Sequence, residues 1–171
     1  MKALELEINN KKDSAIIVFN QAIALDPTFD LPHRNKFRIY FTRNDFHQAL
    51  IECEALIKIN PDETQWWFNS GMILDKLGDD QKAKAHYLKT LELIEIKLHK
   101  RSEKDYRGQH QLAKGLILIL LEKEQEGRNE IEKLIETNPG NERIISLSKI
   151  NKKEYLENVL DKQLYFNEDK F

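Results

Sequence analysis

The sequence predicts an all-α protein built from antiparallel helix pairs stacked in series, and two observations lead there. The first is a 34-residue period. Ala15, Ala49 and Ala83 are spaced by it, as are Phe19, Cys53 and Tyr87, then Ile23, Ile57 and Leu91, then Leu25, Ile59 and Leu93. Pro27 and Pro61 stand the same distance apart, each after a short acidic or amide residue, in Leu25-Asp26-Pro27 and Ile59-Asn60-Pro61. A fixed period of this length marks supersecondary units that bury their apolar faces on their neighbours. The second observation is that start and stop signals for two helices recur within each period.

Taken in order, the first unit shows Ala15, Phe19, Ala22 and Pro27, with about ten residues available for its first helix. In the second, Asp30 is placed to cap a helix and Pro32 sits in its first turn, where a missing N–H costs nothing. Asn44-Asp45 end that helix and open the next, and Gln48, three residues on, completes a capping-box pattern. In the third, the stretch from Asp62 to Leu77 carries Trp67, Gly71 and Leu74 on one face. Gly78 stops it as a left-handed residue and Asp79-Asp80 cap the following helix. That second helix continues through Leu91, Ile94 and Leu98, and the charged stretch from Lys100 to Asp105 reads as a connection.

A divergent fourth unit has Gly115 at the small position of its first helix, Gly127 where the other units have Ala, and Asn138-Pro139 at its close. Pro139 lies 78 residues after Pro61, two periods and ten extra residues, which the overlong helix and its connection absorb. From Asn141 to Phe171, Ile144, Ile145, Leu147, Ile150, Tyr155, Leu156, Val159, Leu160 and Leu164 recur at near-helical spacing. These predict a C-terminal cap of one or two helices, which the exposed face of a last repeat requires.

Composition narrows the class of function. Lys plus Arg number 27 and Asp plus Glu 29, a formal charge of −2, without the basic excess that phosphate contacts demand; no nucleic-acid partner is expected. Apolar residues make up 40% and charged residues 33% of the chain, the balance of one ordinary core. The 6 glycines, 4 prolines and single cysteine exclude collagen-like, disulfide-stapled and zinc-ribbon architectures. The longest strongly apolar run, Leu116 to Leu121, falls far below the ~20 residues that a membrane span needs. The first residues alternate charged and apolar side chains, unlike a signal peptide. A cytoplasmic location is thereby favoured for the chain as given, and removal of an upstream export segment stays compatible with it.

The residues now resemble those of the tetratricopeptide repeat family, whose 34-residue unit places a large residue, a small one, Ala, an aromatic and a helix-ending Pro at set positions. The resemblance rests on Trp67, Gly71, Gly78, Ala83 and Tyr87 in the third unit, on Phe46, Ala49 and Pro61 in the second, and on Ala15, Phe19, Ala22 and Pro27 in the first. Small residues where paired helices cross let the backbones approach. The resemblance implies a single domain, a right-handed α-solenoid of about three clear repeats, a divergent fourth and a capping helix. The units are 1–29, 30–63, 64–107 and 108–141, with the cap at 142–171. In the family's register the first unit starts mid-helix, as expected of a worn terminal repeat or an array trimmed at its start.

The resemblance further implies that the first helices line a groove for a peptide or partner protein. The matching positions are Leu31, Arg34, Arg38, Phe41 and Thr42, then Gln65, Phe68, Asn69, Met72, Asp75 and Lys76, followed in the fourth unit by Gln109, Leu112 and Leu116. Phe41, Phe68 and Met72 are expected to be exposed there for use, and Arg34 with Arg38, one turn apart, to grip a carboxylate. One branch of the family clamps a chaperone's terminal carboxylate with Lys and Asn in one unit, Asn in the next and Lys and Arg in the third. Here those positions hold Arg34, Arg38, Asn69, Gln109 and Ala113, so the third-unit cations are missing and no chaperone-tail receptor is predicted.

No catalytic constellation emerges. The glycines lie singly, with no phosphate-cradling loop, and the five histidines form no i, i+4 metal pair. Cys53, within reach of His47 in sequence, shares its column with Phe19 and Tyr87 and is expected to be an inert core residue. Asp79-Asp80 read as caps and Glu122 with Glu124 as a solvated face. Trp67 occupies the large core position, while Trp66 either packs near Leu56 and Ile57 or stays exposed as a partner anchor. The expectation is therefore a non-enzymatic interaction module with no cofactor and no metal. The alternative is a homodimer through solenoid edges, the first unit and Leu116 to Leu121 supplying the apolar surface.

Overall fold

A computed structural model of the chain describes residues 11–99 and 107–161. Its elements, in order, are the helices α1 (Lys12–Leu25), α2 (Asp30–Thr42), α3 (Phe46–Ile59), α4 (Thr64–Leu77), α5 (Asp80–His99), α6 (Arg107–Leu120), α7 (Glu124–Thr137), α8 (Glu142–Leu147) and α9 (Lys152–Asp161). The described residues contain helices and turns and no strand. The all-α class of helix pairs expected from the period is the one found. The connection from Lys100 to Asp105, the first ten residues and Leu164 lie outside the described residues. The chain divides into two compact units, Met1–Trp66 and Trp67–Phe171.

In the first unit α1 buries Ala15 and Phe19 against Ile39 of α2. The turn between α2 and α3 passes through Asn44 at φ +57°, the left-handed conformation that amide side chains tolerate. Asp45 then caps α3, its carboxylate accepting from the Gln48 N–H at 3.2 Å. Asp30 does not cap α2 as expected. The helix begins at Asp30 itself, with Phe29 at the cap position and no side-chain bond there. The Asp30 carboxylate instead accepts from Arg34 Nε one turn later at 2.8 Å.

The α2–α3 interface combines Phe37, Phe41 and Phe46 in successive ring contacts at 5.5 and 5.8 Å with Ala49, Cys53 and Leu56. Trp66 is buried, and the contact that holds it is an edge-to-face packing on Phe37 at 5.3 Å. One ionic cluster interrupts this apolar packing. Glu52, its side chain 3% exposed, lies 2.7 Å from His33 Nδ1 and 2.6 Å from Lys36 Nζ, so α3 presents one carboxylate to two α2 partners.

Cys53 is fully buried in that interface, and burial beside Glu52 and Glu54 pushes its thiol well above the usual range. Both effects suppress the thiolate, which is the reactive form. Cys53 is expected not to react with an aromatic disulfide reagent at pH 8 in the native protein, and to react fully once urea unfolds it. A thiol titrated at once without denaturant would show the α2–α3 packing to be wrong.

The second unit opens with the pairing of α4 on α5. Gly71 permits it: a Cβ there would lie 2.6 Å from Tyr87 Cε1. Gly78, at φ +82°, ends α4, and Asp79 caps α5 by accepting from the Lys82 N–H at 3.2 Å. α5 runs for 20 residues, six longer than α4, as the apolar continuation to Leu98 predicted. α6 and α7 cross at Gly115 and Gly127, closer than side chains allow, with Ile119 and Ile131 packed at the crossing.

The C-terminal cap, expected as one or two helices, consists of two among the described residues. Asn141 caps α8 by accepting from the Ile144 N–H at 3.2 Å. α9 opens on a reciprocal capping box, the Asn151 side chain accepting from the Glu154 N–H at 2.9 Å and Glu154 accepting from the Asn151 N–H at 3.2 Å. Arg128 of α7 donates to the carbonyls of Ser148 and Ile150, which pins the turn between α8 and α9.

Candidate partner-binding face

The predicted groove residues fall into two groups. Phe41, Gln65, Phe68, Asn69 and Met72 are buried, and Leu112 and Leu116 of α6 are buried as well. The exposure expected of Phe41, Phe68 and Met72 is not what the structure presents. Phe41 is enclosed by Phe37 and Phe46, and Phe68 by two tyrosines. Leu31, at 44%, and Lys76 are exposed, while Arg34, Arg38, Thr42 and Gln109 are half-buried.

Arg34 is engaged within its own unit. Its Nε meets Asp30 and its Nη2 meets Glu63, each at 2.8 Å, and the guanidinium stands 5.1 Å from the centre of the Trp66 ring. Partial burial works against its charge, but the two carboxylates outweigh this and raise its pKa. Arg38 Nη2 donates to Asn35 Oδ1 at 3.3 Å. The two arginines therefore do not form an open pair aimed at a ligand carboxylate; Arg34 is a brace between α2 and the start of α4.

On α4, within the second unit, two of the matching positions, Phe68 and Asp75, meet α9. Phe68 lies 6.2 Å from the Tyr87 ring of α5 and 6.4 Å, edge to face, from the Tyr155 ring of α9. Offset and edge-to-face rings at these distances add roughly 0.5–1.5 kcal/mol each beyond area burial. Seven residues along α4, the Asp75 carboxylate, 4% exposed, accepts from the Tyr87 hydroxyl at 2.8 Å and pairs with Lys152 Nζ at 3.0 Å. Lys152 also lies 3.8 Å from Glu122, in the turn between α6 and α7. Tyr155 is 5% exposed and burial drives its phenol above the usual range; burial and then Asp75 do the same for Tyr87. Both rings stay protonated, so the Tyr87 hydroxyl remains a donor to Asp75.

Tyr155 was legible in the sequence as part of a helical cap, but not the place where it docks. Lys152 and Glu122 carried no signal beyond surface charge. Elsewhere in this unit Gln109 borders a cleft of about 230 Å³ together with Leu112, Asn138 and Arg143. No helix among the described residues is long and apolar enough to cross a membrane.

Comparison with known proteins agrees with this architecture. Residues 1–29 and 65–96 match the family model for the tetratricopeptide repeat. The chain is 32% identical over 80 residues to the heat shock protein sti1 homolog of Schizosaccharomyces pombe, a match that takes in 46% of this chain and 14% of that protein. The chain thus spans about one seventh of the curated relative's length. Among solved structures, YrrB, described as a TPR protein with an unusual peptide-binding site, superimposes with a TM-score of 0.60 at 18% identity, over 94% of this chain and 80% of that one. Residues 1–29 and 65–96 are thus similar to the tetratricopeptide repeat, and the chain shares the fold of a tetratricopeptide repeat protein.

Proposed function

We propose that the chain is a non-catalytic interaction module that holds a protein or peptide partner on the groove-side face of its repeats. One observation carries the reading: the face of α4 that the family uses for partners is built to hold a helix, since it engages α9 by a ring contact and an ion pair. The peptide-binding site described for YrrB and the heat-shock name of the fungal relative support an interaction role, and similarity to the tetratricopeptide repeat favours binding over catalysis. Within the second unit Lys76 is the exposed position of this face, beside Phe68 and Asp75; in the first unit Leu31 is the exposed matching position.

Charge reversal at Lys76, and separately Leu31→Glu, tests this at exposed positions without cutting into the core. Each variant is expected to keep the native circular dichroism spectrum, and the Lys76→Glu chain to retain at least tenfold less partner from a lysate of the source organism. Undiminished capture by both variants would remove the proposal.

A further inference from the structure

Resting on that reading of α4, we propose that α9 is an internal ligand of this face, and that the partner it accepts in trans is a helix carrying the same pair of groups. Those groups are a cation and, one turn later, an aromatic ring.

The chemistry is displayed by α9 itself. Lys152 and Tyr155 are three residues apart, so both project from one side of the helix. Lys152 answers the Asp75 carboxylate at 3.0 Å and Tyr155 meets the edge of Phe68 at 6.4 Å. The site's charge demands a cation: Asp75 is nearly enclosed, its other partner is the neutral Tyr87 hydroxyl, and Glu122 adds a second negative charge nearby. An occupant without a cation would leave a buried carboxylate underpaired, which costs far more than a missed surface contact. An acidic peptide is excluded on the same ground.

The contact is also of a kind that a competitor can displace. Away from that contact α9 carries Lys153, Glu154, Glu157 and Asn158, all exposed, so among the described side chains one side of the helix faces solvent. Its start is pinned by Arg128 to the carbonyls of Ser148 and Ile150. Tethering of this sort supplies an effective concentration in the millimolar range, so modest contacts suffice to keep α9 docked. A partner helix then binds with its affinity reduced by the fraction of chains in which α9 has left.

The probe is a fluorescein-labelled synthetic peptide of residues 149–161, titrated against the full chain by fluorescence anisotropy. Receptors are the native chain and a Lys152→Glu, Tyr155→Ala chain in which the internal copy is disabled. The disabled receptor is expected to bind the peptide at least tenfold more tightly than the native chain. A peptide with the same two substitutions is expected to lose that binding, as is a disabled receptor that also carries Asp75→Asn. Should the double variant lose helicity, Lys152→Glu alone serves in its place, with a smaller gain in the same direction.

Equal affinity for native and disabled receptors, or no binding to a disabled receptor of native helicity, would overturn the inference. A native dimer in light scattering that Tyr155→Ala abolishes would overturn it too, by making the occupant a second copy of the chain. Failed peptide binding with Lys76-dependent capture intact would leave the interaction reading standing, whereas peptide binding without any partner capture would remove that reading alone.

Discussion

Replacing Gly127 with alanine is expected to destabilise the second unit by about 2 kcal/mol, although alanine is the better helix former. The added Cβ would fall 2.4 Å from the Gly115 carbonyl oxygen, 2.8 Å from Ile119 Cγ1 and 3.0 Å from the Ile119 backbone nitrogen. Two of these three atoms are backbone, so relief requires α6 and α7 to move apart. Overpacking typically costs about 1–3 kcal/mol, and contact with backbone atoms puts this case at the upper end, while the gain in helix propensity returns only about 1 kcal/mol. Gly115 is its counterpart, since a Cβ there would meet Ile131 Cγ1 at 2.5 Å and the Gly127 carbonyl oxygen at 2.9 Å. Urea denaturation followed by circular dichroism reads the effect as a lower midpoint. Gly140→Ala is the control, because nothing lies within 4 Å of a Cβ at that position. A Gly127→Ala midpoint equal to that of the control would mean that the two helices do not cross at these glycines.

Removing the Glu52 carboxylate is expected to have a still larger effect in the first unit. Glu52→Ala leaves Lys36, 13% exposed, with its ammonium facing a vacated interior, and His33 without its partner. Breaking a buried ion pair from one side costs about 3–5 kcal/mol, because the remaining charge is uncompensated. Replacing all three groups with apolar side chains of similar volume, as His33→Leu, Lys36→Met and Glu52→Leu together, is expected to restore stability to within about 1 kcal/mol of native by the same principle. The comparison separates the two sources of stability. If Glu52→Ala proved as stable as the native chain, the cluster would be solvated rather than buried between α2 and α3.

Much of the fold was legible because the same local problem is solved in each period. A small residue is needed where two helices cross, and Gly71, Ala83, Gly115 and Gly127 stand at such crossings. A left-handed residue is needed to leave the first helix, and Asn44 and Gly78 supply it. Glu122 performs the same turn in the fourth unit at φ +64°. It was read as a solvated acidic side chain, because a glutamate carries no propensity for that conformation. Asp30 misled for a related reason: a helix-capping residue type was present, but an arginine one turn later offered its carboxylate a stronger, charge-assisted partner.

The candidate site was less legible. The family register places Phe68, Met72 and Asp75 on one face of α4, but whether such a position is open depends on what is packed over it. Phe41 is closed off by neighbours within its own helix pair. Phe68 and Asp75 are covered by a helix that starts 77 residues after Asp75 in the chain. Nothing in the local pattern around Phe68 encodes the arrival of Tyr155.

The 34-residue spacing, the helix-ending residues and the placement of small side chains at crossings determined by themselves that this protein is a repeat array of helix pairs resembling the tetratricopeptide repeat. These are short-range properties, in which periodicity and backbone preference decide. Only the tertiary structure decided that Arg34 is a brace rather than an open clamp, that Glu52 joins α2 to α3, and that α9 lies on the face of α4 that carries Phe68 and Asp75. Those outcomes depend on which distant charges and rings are brought within a few ångströms of one another. Burial then multiplies the strength of such pairings, and composition and spacing do not record them.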